Sequence, residues 1–332
     1  MEPLVSVVMP VRNGGSYLEA AVDSILSQSH AKLELILVDD NSSDAAIDRL
    51  RADDGRLQIL NSAGQGVSAA FNTGLARASG EYIARMDADD IALPRRLETQ
   101  RAYLESHADV SICGGCVEIF SAGGLEGGNL RYQAWLNACR SPDRIRREMY
   151  IESPIPNPTA FFRREAIVKL AGYANPAWPE DYDLFLRADA MGLKMGKSDE
   201  IVLRWREHAT RLTRTDERYA LTAFQRAKVH YLARHRLPAG AQLIIWGAGP
   251  TGKLTHDLLA AEQQAVLGFL EVHPRRIGGE KRGLPVWPIQ HLEQDRESFV
   301  LVAVGSAGAK EEIRQFMQDL DRVEGEQYLF VA

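Results

Sequence analysis

The sequence predicts an α/β protein of two domains, a larger one over residues 1–238 and a smaller one over 239–332. Three observations carry that prediction. Short, β-branched apolar runs alternate with segments of helical period through the first ninety residues. The same pattern restarts after Pro238-Ala239-Gly240, which reads as a linker. The strand-like runs are nearly continuous in apolar character, which implies a mostly parallel sheet covered on both faces. In such sheets ligands bind beyond the carboxyl ends of the strands.

Taken in order, Leu4–Met9 is a strand closed by Pro10, and Ser16-Tyr-Leu-Glu19 is a capping-box pattern. The helix it opens puts Leu18, Val22, Ile25 and Leu26 on one face. Leu33–Val38 is a second strand, ended by the acidic turn Asp39–Asp44, and Leu57–Leu60 is a third. Val67–Ala78 is helical by its Val67/Phe71/Leu75 spacing and stops at Gly80. Tyr82–Met86 is a fourth strand that runs straight into Asp87-Ala88-Asp89-Asp90. Pro10–Asn13, Asp39–Asp44 and Asp87–Asp90 therefore gather at one rim of the sheet. Further on, Val110–Phe120 is a buried strand, Gly123–Asn129 a glycine-rich loop, and Ser153–Pro158 a proline-rich stretch. Ala166–Ala188 is helical with a break at Gly172–Pro179, followed by a basic segment at Arg204–Arg214 and an amphipathic helix at Tyr219–Arg234. The smaller domain reads as strand Leu243–Trp246, glycine turn 247–252, helix Lys253–Glu262, strand Val266–Leu270, strand Phe299–Val304 and helix Ala309–Leu320.

Composition excludes several functions. Of 332 residues, 45% are hydrophobic and 25% charged, ordinary for a soluble globular chain. The net charge is −6, with 39 Lys and Arg dispersed among 45 Asp and Glu, so no basic stripe tracks a nucleic acid backbone. Three cysteines (Cys113, Cys116 and Cys139) make no disulfide framework and point to a reducing compartment. Cys113-Gly-Gly-Cys116 lies in a buried strand with no second Cys or His pair, which leaves it without metal or redox chemistry. The chain starts without a signal peptide and has no stretch of about 18 apolar residues. The expected place is the cytoplasm, free or held peripherally at the inner face of the membrane.

Asp87-Ala88-Asp89 supplies two carboxylates at a strand end. Oxygen ligands of this kind suit Mg²⁺ or Mn²⁺, which bind through one or two carboxylates plus substrate phosphates. At about 4 Å and an effective dielectric near 20, such a cation stabilises a departing diphosphate by roughly 4 kcal/mol per charge pair. By itself the triplet reads equally well as a solvated acidic turn.

It does not stand by itself. Pro10-Val-Arg-Asn13, Val38-Asp-Asp-Asn-Ser42, Gly66 with Asn72-Thr-Gly74, Gly80-Glu-Tyr-Ile83 and Asp87-Ala-Asp-Asp90 occur in this order. Asn157-Pro-Thr-Ala-Phe-Phe-Arg163 and Glu180-Asp-Tyr-Asp-Leu-Phe-Leu-Arg187 follow. Together they resemble a family 2 glycosyltransferase with the GT-A fold, over about residues 3–215. The resemblance implies an inverting enzyme that moves a sugar from a nucleotide-sugar donor, a UDP-sugar, to a hydroxyl of a glycan or lipid-linked acceptor in surface polysaccharide synthesis. It places Pro10, Val11 and Arg12 along the nucleotide, and Asp40 on the uracil with Asp39 beside it. Asp89 matches the metal ligand, Asp87 a contact to ribose or metal, and Asp90 a residue facing sugar or acceptor. Asp181 matches the catalytic base, and Glu180 a residue that orients the acceptor. His208, followed by Thr213, falls on the loop that closes over the diphosphate and joins Asp89 and Asp87 as a metal ligand, with Arg206 and Arg211 as phosphate-facing charges. Asn157 departs from the His that relatives carry before Pro. A helix beginning at Tyr182 would put Asp181 at a positive helix end that keeps it ionised.

In the smaller domain, Gly247-Ala-Gly249-Pro-Thr-Gly252 follows a strand and opens a helix, and Glu271 ends the next strand. The stretch resembles a small Rossmann-like domain. Gly247, Gly249, Gly252 and Glu271 would hold a dinucleotide or sugar nucleotide as a regulator, or the fold serves only as an interaction platform; Pro250 removes one phosphate-facing N–H. The competing reading of the whole chain is an NAD(P)-dependent oxidoreductase or sugar-nucleotide modifier working from this domain. A third is a non-catalytic nucleotide-sugar sensor or scaffold, which would need no base at Asp181.

Overall fold

The computed structural model describes residues 2–50, 53–306 and 308–332. The chain forms two compact units, Met1–Ile145 with Pro154–Asp216, and Arg146–Ser153 with Glu217–Ala332. Through the first unit the strands are β1 (Val5–Val11), β2 (Leu33–Asp39), β3 (Leu57–Asn61), β4 (Tyr82–Arg85), β5 (Ile91–Ala92), β6 (Val110–Phe120), β7 (Phe161–Arg163) and β8 (Lys194–Arg206). The helices along the same stretch are α1 (Leu18–Leu26), α2 (Val67–Arg77), α3 (Arg96–Ser106), α4 (Gly127–Ala138), α5 (Pro142–Glu148), α6 (Arg164–Lys169), α7 (Glu180–Ala190) and α8 (Leu212–Thr215).

The strands form one eight-stranded sheet in the order β3-β2-β1-β4-β7-β6-β8-β5. β1 to β4 are mutually parallel, as are β6 and β8; β7 runs antiparallel to β4 and β6, and β5 to β8. Both faces are covered, as the apolar strands require. Val5, Val7, Met9 and Val11 of β1 join a core with Leu18, Val22 and Ile25 of α1. On the other face Val8 meets α2 so closely that a Cβ on Gly74 would stand 2.5 Å from its Cγ1.

Three expectations are corrected. The capping box at Ser16–Glu19 is not used: a turn closed by the Tyr17 N–H on the Gly14 carbonyl comes first, so α1 starts at Leu18 without a side-chain cap. The loop at Gly123–Asn129 already contains the start of α4. The basic segment Arg204–Arg214 begins as the last residues of the long strand β8. The three cysteines are buried and form no disulfide, and burial pushes the Cys113 thiol up to about 12, so it is not a thiolate at neutral pH.

The second unit carries α9 (Leu221–Tyr231), β9 (Leu243–Trp246), α10 (Pro250–Ala261), β10 (Val266–Glu271), β11 (Glu280–Lys281), β12 (Leu284–Pro288), α11 (His291–Gln294), β13 (Phe299–Val302), α12 (Ala309–Asp319) and β14 (Tyr328–Phe330). Its six-stranded sheet runs β11-β12-β10-β9-β13-β14, parallel except for the β11–β12 hairpin. The boundary falls after Asp216, where the sequence suggested 238. The reason is α9, whose His230 Nδ1 lies 3.0 Å from Glu262 at the end of α10, while Arg234 Nε donates to the same carboxylate at 3.0 Å. Segment 146–153 is held there by Arg314 Nη2 on Glu148 (3.0 Å) and Lys228 Nζ on the Ile151 carbonyl.

Candidate active site

Within the first sheet the strand order reverses at β1, which has β2 on one side and β4 on the other. That reversal is where an open α/β sheet forms its ligand crevice. β1 pairs with β4 only as far as Val8 opposite Arg85, but with β2 as far as Val11 opposite Asp39. Pro10, which has no N–H, falls just past the last pairing with β4. Beyond this parting stand Arg12, Asp39 and Asp40 from one side and Asp87, Asp89 and Asp90 from the other.

The last three form a cluster in which one ligand atom from each lies within 4.8 Å of the others. Each is held differently. Asp87 Oδ1 accepts from Arg85 Nε at 3.0 Å and Nη2 at 2.9 Å. Asp89 Oδ2 is 2.8 Å from His208 Nε2. Asp90 is 1% exposed; its Oδ1 accepts from the Arg206 N–H at 2.7 Å, and its Oδ2 is buried with no partner. Burial pushes the Asp90 carboxyl well above the usual carboxylate range, and Asp89 and Asp87 push it further. A buried oxygen without a donor beside two more carboxylates is costly. It is also the hard oxygen donor set that Mg²⁺ or Mn²⁺ takes, so the residues present fit such an ion. Asp90, expected to face sugar or acceptor, is buried with one oxygen bonded to the β8 backbone.

Asp181 enters from α7, which starts directly after Pro179. Its Oδ1 accepts from the Tyr182 N–H at 2.7 Å. The helix start does not keep it fully ionised, as the sequence suggested. Burial is the largest effect and, with Glu180 and Asp87 adding repulsion, pushes Asp181 up to about 7 against the Tyr182 N–H and Arg85. Asp87 and Arg85 both act on the charge of Asp181, so Asp87 after β4 and Asp181 of α7 share one field. Asp183, two residues on, is structural, since Trp178 Nε1 and Arg187 Nε donate to its two oxygens at 2.9 and 2.7 Å.

Arg85 is the residue that sequence reading missed. It ends β4, is 3% exposed, and lies over the rings of Phe71 (5.7 Å) and Tyr173 (5.2 Å). Asp87, Tyr173 and Glu180 raise its pKa against burial, so it stays charged. Its Nη1 is buried without a partner. The signal that could have found it is an Arg inside an otherwise apolar strand, two residues before paired carboxylates.

Several expected site residues also make bonds within the chain. Both Asp40 oxygens are 3.0 Å from the Gly66 N–H, whose φ of +87° suits glycine, and Arg12 Nη1 is 3.8 Å from Oδ2. Asp39 Oδ1 accepts from the Ser42 N–H at 2.8 Å. Arg206 donates to the Asp89 carbonyl (2.7 Å) and lies between Tyr17 (4.3 Å) and Phe120 (4.5 Å). Arg211 bonds Glu207 at 2.8 Å and covers Trp205 at 4.7 Å. His208 Nδ1 meets the Thr210 hydroxyl at 3.0 Å. Asn157 accepts from the Tyr173 hydroxyl at 2.5 Å, a buried structural bond.

With this geometry in hand, comparison with known proteins is decisive. The family model "Glycosyl transferase family 2" matches residues 6–170. The "Putative glycosyltransferase EpsE" of Bacillus subtilis is 30% identical over 296 residues, covering 85% of this chain and 97% of that protein. The chain belongs to glycosyl transferase family 2. The O-antigen biosynthesis glycosyltransferase WbnJ of Escherichia coli is 28% identical over 211 residues, 62% of this chain and 80% of its own. Among solved structures, Staphylococcus aureus TarS 1–349 in complex with UDP-GlcNAc superposes with a TM-score of 0.56 at 16% identity, over 77% of this chain and 71% of that one. The mannosyltransferase PcManGT of Pyrobaculum calidifontis, in complex with GDP-Man and Mn²⁺, gives 0.50 at 21%, over 71% and 63%. These establish the GT-A fold for this glycosyltransferase.

The glycosyltransferase's second unit is built differently at its strand ends. A Cβ on Gly252 would lie 1.8 Å from the Gly247 carbonyl oxygen, so this glycine permits the close approach of α10 to the turn after β9. Glu271 Oε1 accepts from the Val272 and His273 N–H groups (3.0 and 3.3 Å), and Oε2 from Arg276 at 2.9 Å.

Proposed function

We propose that this family 2 glycosyltransferase is an inverting, metal-dependent enzyme that moves a sugar from a nucleotide-sugar donor, a UDP-sugar, to a hydroxyl of a glycan or lipid-linked acceptor in surface polysaccharide synthesis. The observation that carries the proposal is the shared field of Asp87, Arg85 and Asp181 at the β1/β4 parting. Support for the donor class comes from the UDP-GlcNAc and GDP-Man complexes of the structural neighbours, and for polysaccharide synthesis from the O-antigen relative. No helix of the described residues is long and apolar enough to cross a membrane, which is compatible with peripheral action on a lipid-linked acceptor.

In this reading Asp181 takes the proton of the acceptor hydroxyl, whose oxygen attacks the anomeric carbon as the bond to the nucleoside diphosphate breaks. A carboxyl near pH 7 is matched to that task at neutral pH. Asp87, Asp89 and Asp90 would hold Mg²⁺ or Mn²⁺, and His208 orients Asp89. When bound, the ion supplies charge stabilisation for the departing diphosphate. Arg85 fixes Asp87, and Arg206 ties the β8 end to the acidic turn through Asp89 and Asp90. Pro10, Val11 and Arg12 line the nucleotide, with Asp39 and Asp40 toward the base. Glu180 orients the acceptor. The oxidoreductase reading is not favoured, because the oxygens of Glu271 are already taken by its own loop.

A donor screen tests the proposal: UDP-, GDP- and TDP-sugars are offered with and without Mn²⁺, and release of the free nucleotide is followed. Mn²⁺-dependent UDP release supports it. Turnover of NAD(P)H with no nucleotide released from any donor overturns it.

A further inference from the structure

Resting on that reading and deepening it, we infer that the first unit carries a second saccharide subsite, a cavity that takes one sugar ring of the acceptor remote from the reacting hydroxyl. The cavity, of about 180 Å³, lies where β6 and β8 end, beside α4. Tyr132 and Trp205 form its apolar side with ring centroids 6.4 Å apart, and Trp135 stacks on Tyr132 at 5.9 Å. Glu207, Arg211 and Arg214 supply its polar side.

Strand alternation explains its placement. Along the end of β8, Arg206 turns to Tyr17, Phe120 and the Asp89 carbonyl, so Trp205 and Glu207 fall on the opposite face. The register agrees: Ile119, which also lines the cavity, pairs with Trp205, and Phe120 pairs with Arg206. One strand end therefore serves two sites, with the acidic cluster on one side and the cavity on the other. The short segment after it joins them, since His208 reaches Asp89 while Arg211, three residues on, reaches the cavity.

The lining decides the ligand class. Arg211 already lies over the Trp205 ring and Trp135 stacks on Tyr132, so the C–H groups of a pyranose meet the ring surface that Tyr132 and Trp205 leave toward the cavity, while a carboxylate and guanidinium groups hydrogen-bond its hydroxyls. The charges are largely spent within the cavity: Glu207 accepts from Arg211 at 2.8 Å and from Arg214 at 2.6 and 2.9 Å. These two cations hold the Glu207 carboxyl below its ordinary range despite its burial. One net positive charge on three paired groups suits a neutral polyhydroxyl ring better than a free phosphate. The volume is below the roughly 300–1,000 Å³ of pockets for drug-sized ligands, so it admits a single ring. The amide of Asn129 stands beside it as a further donor and acceptor.

Gly128 provides the test. It lines the cavity from the first turn of α4, and a Cβ there meets nothing within 4 Å, so Gly128→Leu adds bulk at the cavity wall without a clash at its Cβ. Saturation-transfer NMR is recorded on the full chain with glucose, galactose, mannose and N-acetylglucosamine, each with excess UDP and Mn²⁺ present. We expect transfer to at least one sugar in wild type, and its reduction by fivefold or more in Gly128→Leu and in Tyr132→Ala. UDP affinity, measured on the same samples, stays within twofold. Absence of transfer to every sugar in wild type, or equal transfer in Gly128→Leu, overturns the subsite and leaves the donor reading intact. A folded wild type that binds no UDP overturns the donor reading instead.

Discussion

Two strand ends of this protein look alike in sequence and differ in what they leave unsatisfied. After β4, three carboxylates crowd together, one buried oxygen has no donor, and Asp90 is driven well above its ordinary range. After β10, Glu271 is equally an acid at a strand end, yet two backbone N–H groups and Arg276 satisfy it and hold its carboxyl below the ordinary range despite burial. A turn that completes its own hydrogen bonds needs nothing more, whereas one that stores repulsion is built to receive a cation or proton. The acidic motif alone does not separate the two cases; the bonding partners do.

The sharpest way to break the contrast is at Asp181. Asp181→Asn is expected to lower transfer by about 10²–10⁴-fold while nucleotide-sugar affinity stays near wild type. Unchanged transfer in a nucleotide-release assay removes Asp181 from the role of base. Next comes Arg85→Met, which strips the buried cation from among Asp87, Glu180 and Asp181. It should weaken Mn²⁺-dependent nucleotide binding, because Asp87 loses both bonds that fix its Oδ1, and calorimetric titration reads this directly.

The pH profile sharpens the same point. Asp181 works as a base only when ionised, and its carboxyl is raised to about 7. Transfer should therefore rise as pH climbs through about 7 and level off above it. Arg85→Met should move that rise to higher pH, since a positive neighbour is lost. For stability the sign is reversed: a carboxyl raised by folding makes the folded state bind the extra proton, so its contribution declines as pH rises from the ordinary carboxylate range through about 7. A flat activity profile between pH 6 and 8 would contradict the assignment.

The smallest effects lie in the second unit. Gly252→Ala forces a Cβ against the Gly247 carbonyl and should cost about 1–3 kcal/mol, seen as a lower melting temperature. Gly249→Ala meets nothing within 4 Å and should leave both melting temperature and transfer unchanged. A Gly249→Ala variant with impaired transfer would mean that the glycine turn serves the reaction after all.

What could be read from the sequence follows the same physics. β1, β2, α2 and β9 are legible because a single periodicity describes each. The strand β6 falls at Val110–Phe120 as expected. α3 is not legible, because its inward positions include Arg96 and Gln100, both fully buried. Arg96 donates to the Arg85 and Pro158 carbonyls and to Gln100, so a polar network fills a place that a hydrophobic pattern would mark. β8 is hidden for a related reason, since Lys197 lies buried within it and donates to the Leu136 carbonyl. Of the site, the paired acids after β4 and the Glu180-Asp181 pair are picked out only by the family resemblance of the motifs taken together. Arg85 is not, because its role comes from being enclosed with Tyr173, a residue distant in the chain. The charge state of Asp181 was read from its helix position alone; burial and its acidic neighbours, invisible in one dimension, decide it.

The central claim is that the carboxylates after β4 form a working nucleotide–metal site. Titration of UDP into wild type and Asp89→Ala, each with and without Mn²⁺, tests it most directly. Mn²⁺ should tighten UDP binding to wild type by about tenfold or more, equivalent to about 1.4 kcal/mol, and leave Asp89→Ala unaffected. Equal affinity with and without Mn²⁺ in wild type would contradict it.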